Sequence, residues 1–99
     1  MVKHIILWEL DGSTSDEKAA DAAQIKAALE GLNGVIPGLI GLKVYSKLLE
    51  GSNVELVLDS SFESREALEG YQKHPAHVKA ATEVVRPRVK NRRCADYEV

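Results

Sequence analysis

The sequence predicts an α+β fold in which a few strands and helices share one hydrophobic core. Its 99 residues suffice for one such core, and its apolar fraction of 44% is that of a globular protein. Segments with the two-residue period of a strand alternate with segments that have helical spacing. Because no linker, repeat or low-complexity stretch divides the chain, we expect residues 1–99 to form a single domain.

The N-terminal third predicts a strand followed by a long helix. The apolar run from His4 to Leu10 is too short for a buried helix and ends at Asp11-Gly12, a turn signal. Thr14 and Glu17 have the spacing of a capping box, so a helix begins there and ends near Gly31. Its apolar residues follow helical spacing at Ala22, Ile25, Leu29 and Leu32.

The middle of the chain predicts an antiparallel hairpin. Residues Leu39 to Tyr45 and Asn53 to Phe62 both alternate between apolar and polar, and the segment between them is rich in turn residues. We therefore expect the second and third strands to pair directly with each other.

The C-terminal part predicts a broken helix and a last strand. Ser64 can cap a helix from about Arg65 to Lys73. The residue before a proline resists helical geometry, whereas proline suits the first helical position. His74 is therefore a junction, and Pro75 starts a short helix that reaches about Val85. Val89 to Val99 is the fourth strand.

Right-handed crossovers turn this order into a ferredoxin-like fold, a four-stranded antiparallel sheet with the helices on one face. The strands would lie in the spatial order fourth, first, third, second. Period-two alternation puts one apolar set under the helices, where it would line a pocket for a small hydrophobic ligand. This set consists of Ile6, Trp8, Ile40, Leu42, Leu56 and Leu58.

The opposite face of the sheet, here called the open face, is also apolar. Ile5, Leu7, Tyr45 and Val57 point to it, together with several charged residues. A second copy of the chain covers such a surface economically, since two sheets can close a barrel across a two-fold axis. We therefore expect a homodimer, a dimeric α/β barrel.

Charge and composition exclude several partners. A formal net charge of −2 gives no general attraction to nucleic acid or to anionic membranes. The N-terminal apolar run is too short for a membrane span or a signal peptide, and the single cysteine, Cys94, suits a reducing compartment, so a cytoplasmic location is expected. The run from Arg86 to Arg93 carries five basic residues and allows a nucleic-acid or acidic-ligand interpretation, but without interleaved aromatics a solvated strand entrance is favoured.

Four polar residues are candidates for chemistry. In the predicted sheet the last strand runs antiparallel beside the first, which makes His4 and Asp96 neighbours. A carboxylate that holds one imidazole nitrogen leaves the other free to act as a general base. Tyr71 and His77 on the broken helix would supply an acid or an oxyanion donor. The alternative is that His4 and Asp96 form a purely structural pair.

Metal and cofactor sites are not expected. His74 and His77 have i, i+3 spacing, but two histidines are too few for a tight site and His74 is accounted for as a helix junction. Phosphate-binding and serine-nucleophile motifs are missing.

Several motifs, in order along nearly the whole chain, resemble those of the stress-responsive dimeric α/β-barrel (Dabb) family. They are VKHIILWEL, IPGLIGLKV, FES, YQKHPAHVK and DYEV. The resemblance implies a ferredoxin-like protomer and a barrel of two subunits. The family mixes stress-associated proteins without an assigned reaction and plant polyketide cyclases, and matching the cyclase motifs assigns proton-transfer or positioning roles to His4, Tyr71, His77 and Asp96. Leu56 stands where the cyclases carry a histidine.

These observations lead to one expected function and one alternative. The protein would bind or convert a small hydrophobic carbonyl compound between helices and sheet, by cofactor-free acid–base chemistry of histidine and tyrosine, as a lyase, cyclase or isomerase. Alternatively, it is a non-catalytic, stress-associated dimer with a binding or structural role.

Overall fold

Four strands and three helices follow one another in the predicted order. The computed structural model describes residues 1–99, with β1 at Val2–Leu10, α1 at Ser15–Glu30, β2 at Leu39–Tyr45, β3 at Leu56–Phe62, α2 at Arg65–Lys73, α3 at Pro75–Ala80 and β4 at Val89–Glu98. A π-helical turn, Ala81–Val85, and a 3-10 turn, Arg86–Arg88, join α3 to β4. The sheet is antiparallel with strand order β2-β3-β1-β4, so the predicted ferredoxin-like topology is confirmed.

Local signals in the sequence set the ends of the helices. The Thr14 hydroxyl accepts a hydrogen bond from the Glu17 backbone N–H at 3.1 Å, which starts α1. Ser64 does the same for α2 through the Ala67 N–H. At the break between α2 and α3, His74 has extended backbone geometry and its Nδ1 accepts from the Ala76 N–H at 3.1 Å. His74 is thus the predicted helix junction.

The core lies between the helices and one face of the sheet. Alternate residues of β1, from Val2 to Leu10, are buried, whereas the residues between them are only half-buried. The fully buried centre combines Phe62 and Leu58 of β3 with Ile25 of α1. This alternation is what a sheet with helices on a single face requires.

Two strand boundaries and one side-chain direction differ from expectation. β1 begins at Val2, and β3 begins at Leu56 rather than at Asn53. In β2, Leu39 pairs with Phe62 and Gly41 with Ser61, so Ile40 is left out of the ladder as a bulge. Ile40 is consequently 55% exposed, and the prediction that it shares the helix-covered face with Leu42 was wrong because a bulge interrupts the two-residue period.

The turn that leads into β2 depends on a glycine. Gly38 has φ +81°, and a Cβ there would lie 2.5 Å from the Cβ of Ala67 on α2. Gly38→Ala therefore adds a steric clash to backbone strain, and we expect the free energy of unfolding to fall by about 3 kcal/mol.

Gly34→Ala is the matched control, because Gly34 has φ +78° but no atom within 4 Å of the added Cβ. Its free energy of unfolding should fall by only about 1 kcal/mol, the cost of the backbone conformation alone. Urea unfolding at a fixed protein concentration measures both variants, and equal losses would contradict the clash.

Candidate functional site

A cavity of about 400 Å³ lies over β1 and β4, beneath the broken helix. Its apolar wall includes Ile6, Trp8 and Leu58 from the sheet and Leu29 from α1. Three polar side chains reach it from different elements, namely His4, Tyr71 and His77. A volume of this size suits a small organic molecule.

His4 is held by a carboxylate on the neighbouring strand. The β1–β4 register places His4 opposite Asp96, and Nδ1 of His4 hydrogen-bonds Oδ1 of Asp96. The histidine is only 2% exposed, and its Nε2 has no hydrogen-bond partner in the chain. Burial alone would raise the pKa of Asp96, but the hydrogen bond and charge of His4 hold it below its usual value. Asp96 can therefore stay ionised and orient the imidazole.

Tyr71 places an unpaired hydroxyl in the interior. Its side chain is fully buried, and the hydroxyl has no hydrogen-bond partner. The ring packs between Phe62 and His77, with centroid distances of 4.8 and 4.2 Å, and its centroid lies 6.3 Å from that of His4. Burial raises the pKa of Tyr71, so the phenol stays protonated and can donate a hydrogen bond.

His77 completes the polar part of the wall. Its Nδ1 lies 3.3 Å from the Gln72 carbonyl oxygen, to which it can donate, and this leaves Nε2 free. Burial is the main reason that the pKa of His77 is lowered. The Gln72 hydrogen bond opposes the shift, and the positive charges of Arg86, Arg92 and the protonated form of His4 add to it. Because its pKa is lowered, the His77 imidazole is favoured in its neutral form, which can accept a proton.

Cys94 lies beside the His4–Asp96 pair. Its Sγ is 3.4 Å from Asp96 Oδ1 and 3.7 Å from His4 Nδ1. Burial, followed by the hydrogen bond and charge of Asp96, raises the pKa of the thiol, which makes it a weak nucleophile. The three donor atoms lie within 4.8 Å of one another and could hold a zinc ion, but binding would require the imidazole–carboxylate and thiol–carboxylate hydrogen bonds to be given up.

The cavity does not use every residue that the alternation pattern suggested. Leu42 and Leu56 are buried in the core but do not line it, because it lies toward β4 and not over the middle of the sheet. Ile40 is at the surface, as described above. Asp96 is not part of the lining either; it reaches the cavity only through His4.

Sequence reasoning missed the residues at the mouth of the cavity. Four consecutive residues, Val89 to Arg92, line it together with Arg86. The β1–β4 register shifts between Leu7 and Glu9, so β4 contains a bulge, and Asn91 within it has φ 54°. The basic run from Arg86 to Arg93 was the available signal, but alternation could not indicate that neighbouring residues share one site.

The Asp96 pKa leads to a prediction for stability in acid. A carboxyl whose pKa is lowered by folding contributes stability above its unfolded value, near 3.9, and loses it as the pH falls through the lower folded value. We expect Asp96→Asn to lower the free energy of unfolding by about 1 kcal/mol at pH 7, a small value because Asp96 is partly exposed. The difference from wild type should shrink below about pH 4. Urea unfolding of both proteins at several pH values measures this difference. A difference that grows in acid would contradict the lowered pKa of Asp96.

The fold and the cavity define a small α+β protein of the ferredoxin-like class, with a histidine–tyrosine pocket on the helical side of its sheet. The family model of the stress responsive A/B barrel domain, Dabb, matches residues 2–99. The chain therefore belongs to the Dabb family. This agrees with the resemblance carried by its motifs.

Solved structures of similar fold come from bacteria and plants. A dimeric ferredoxin-like protein of unknown function from Bacteroides fragilis has 30% identity and a TM-score of 0.87, over 99% of this chain and 95% of that one. A Dabb family protein from Mesorhizobium loti has 19% identity and a TM-score of 0.76, over 99% and 95%. The hydroxynitrile lyase of Passiflora edulis has 19% identity and a TM-score of 0.77, over 97% and 90%. No curated protein sequence matches the chain.

None of the helices is long and apolar enough to cross a membrane.

Proposed function

We propose that the protein is a homodimer whose pocket binds a small hydrophobic carbonyl compound and transfers a proton next to the carbonyl, without a cofactor. The observation that carries this proposal is the buried Tyr71 hydroxyl, which lacks a partner in a cavity that also contains two imidazoles. An unsatisfied buried hydroxyl costs stability, and such costs are characteristic of sites that await a ligand.

The proposed reaction is the removal of a proton from a carbon beside the carbonyl. Nε2 of His4 takes the proton, while Asp96 fixes the opposite nitrogen and stabilises the imidazolium that forms. The electron pair of the broken C–H bond moves onto the carbonyl oxygen, and the Tyr71 hydroxyl donates a hydrogen bond to it. The enolate carbon then either attacks a second carbonyl or takes a proton back. His77, packed on Tyr71, is the second proton carrier.

Two observations support proton transfer over a purely structural role. His4 has only one ring nitrogen committed to Asp96, and the pKa of His77 is lowered, chiefly by burial, so that a neutral base faces the same cavity. Catalysis on this fold has a precedent in the Passiflora edulis hydroxynitrile lyase, although at 19% identity only the fold is shared.

The dimer is part of the same proposal. The open face carries half-buried Ile5, Leu7 and Val57, and its Lys3 is already paired with Asp59 at 2.5 Å within the protomer. Neutralised charges of this kind favour contact with a second apolar surface. The Bacteroides fragilis relative is described as dimeric. The proposal includes a cytoplasmic location, because the single cysteine is unpaired.

Deuterium exchange tests the chemistry without knowledge of the natural substrate. Phenylacetone and 2-tetralone, incubated with the protein in D₂O, should lose the NMR signals of their α-protons faster than in buffer alone. The indole N–H resonance of Trp8, the one tryptophan of the chain, reports binding in the cavity. Binding without exchange would favour the non-catalytic alternative, for which the apolar wall of the cavity is the supporting observation. If the ketones neither bind nor exchange their α-protons, the proposal is overturned.

A further inference from the structure

The mouth of the cavity is positively charged in a protein whose formal net charge is −2. Arg86 and Arg92 belong to the cavity lining, and no acidic residue does. Lys90 also borders the cavity, but it pairs with Glu9 in the β1–β4 register, so its side chain points to the open face. The overall charge of the chain repels anions weakly, so any preference for an anion must come from this local arrangement.

Neither Arg86 nor Arg92 forms an ion pair within the chain. The carboxylates near them have other partners: Glu9 accepts from Asn91 at 2.6 Å, Glu55 accepts from Lys18 at 2.7 Å, and Asp96 is bonded to His4. The basic residues from Arg86 to Arg93 therefore differ in whether they already have partners within the chain. Arg88 is committed to the Gln24 side chain and the Val84 carbonyl, whereas Arg86 donates only one long hydrogen bond, of 3.5 Å, to the Thr82 hydroxyl and Arg92 has no acidic partner.

The backbone of β4 is distorted where these residues meet the cavity. In a regular strand Val89 and Arg92, which are three residues apart, would face opposite sides, yet both line the cavity. The bulge accounts for this, with Asn91 in left-handed geometry at φ 54°. Such geometry costs free energy in a residue other than glycine, and it is concentrated at binding and catalytic sites.

We infer that the ligand of this pocket is an amphiphilic anion, with a hydrophobic body in the cavity and a carboxylate or phosphate group bound by Arg86 and Arg92 at its mouth. Guanidinium groups suit both anions because they can donate two parallel hydrogen bonds. The positive charges of Arg86 and Arg92 already contribute to lowering the pKa of His77, after burial, so their influence extends into the pocket. This inference deepens the proposed function and rests on it for the identity of the pocket.

Three naphthyl probes with different head groups test the inference. They are 2-(1-naphthyl)ethanol, 1-naphthylacetate and 1-naphthyl phosphate, titrated into ¹⁵N-labelled protein while the Trp8 indole resonance is followed. We expect one or both anions to bind at least about tenfold more tightly than the alcohol in low salt, a difference of about 1.4 kcal/mol. The advantage should shrink in 0.5 M salt, and the ranking of acetate against phosphate identifies the head group.

Variants assign the effect to the mouth of the cavity. Arg86→Gln and Arg92→Gln should each weaken binding of the preferred anion by about threefold to tenfold and leave the alcohol unaffected. Lys79→Gln is the matched control, because Lys79 is exposed on α3 and outside the cavity lining. Equal affinities for all three probes, or no effect of the two variants, would overturn the inference while leaving the pocket intact. If the Trp8 resonance does not change with any of the three probes, the pocket and the proposed function are overturned together.

Discussion

The His4→Gln protein is expected to fold normally and to exchange α-protons about a thousandfold more slowly than wild type, which is the usual contribution of a well-placed general base. Glutamine can still donate a hydrogen bond to Asp96, so the buried position keeps a polar partner. What it lacks is a basic nitrogen at the cavity. Exchange rates measured by NMR in D₂O, together with a circular dichroism spectrum to check folding, give the result.

The matched control is His74→Asn, which removes a different histidine. His74 acts as a helix cap at the α2–α3 junction, and asparagine can cap a helix as well, so wild-type exchange is expected. A His4→Gln protein with full activity would show that His4 and Asp96 are a structural pair.

Tyr71→Phe distinguishes the effect of the hydroxyl on the exchange rate from its effect on the free energy of unfolding. If the hydroxyl polarises the carbonyl, exchange should slow by about a hundredfold. Because that hydroxyl has no partner in the folded chain, its removal should leave the free energy of unfolding unchanged or raise it by about 1 kcal/mol. A variant that is both slower and no less stable is the signature of a functional group maintained at the expense of stability.

The second large effect concerns assembly. Leu7→Asp should convert the proposed dimer to a monomer, because it places a charge among half-buried apolar residues of the open face. Leu7 lies opposite Val57 on β3, near the middle of that face. Burying one unpaired carboxylate in each subunit costs several kcal/mol, enough to weaken association by more than about a hundredfold.

Light scattering at micromolar concentration measures the mass of wild type and variant. Leu49→Asp is the control, since Leu49 is 86% exposed in the loop between β2 and β3 and should leave the dimer unaffected. A monomeric wild-type protein would contradict the proposed homodimer.

Topology was predictable because it depends on signals that act locally. Helix caps at Thr14 and Ser64 and the proline after His74 mark element ends, and antiparallel order then follows from short connections. The same reasoning predicted that His4 and Asp96 would lie side by side, since the first and last strands of this fold run antiparallel as neighbours.

The residues that line the cavity were only partly predictable because two interruptions of strand pairing change which side chains face the helices. One leaves Ile40 outside the ladder, and the other brings Arg92 to the same side of β4 as Val89. A bulge adds a single residue and carries no strong compositional signal, whereas period-two reasoning assumes that no residue is added. Leu42 and Leu56 face the helices as alternation predicted, but they pack in the core because the cavity lies toward β4.

Both interruptions fall on the outermost strands, β2 and β4. An uninterrupted outer strand offers a row of free N–H and C=O groups on which further chains can polymerise, and local distortion spoils that template. Neither outer strand of this sheet therefore offers an uninterrupted template to further chains. In the proposed dimer, self-association is therefore confined to the open face, where it ends after two copies.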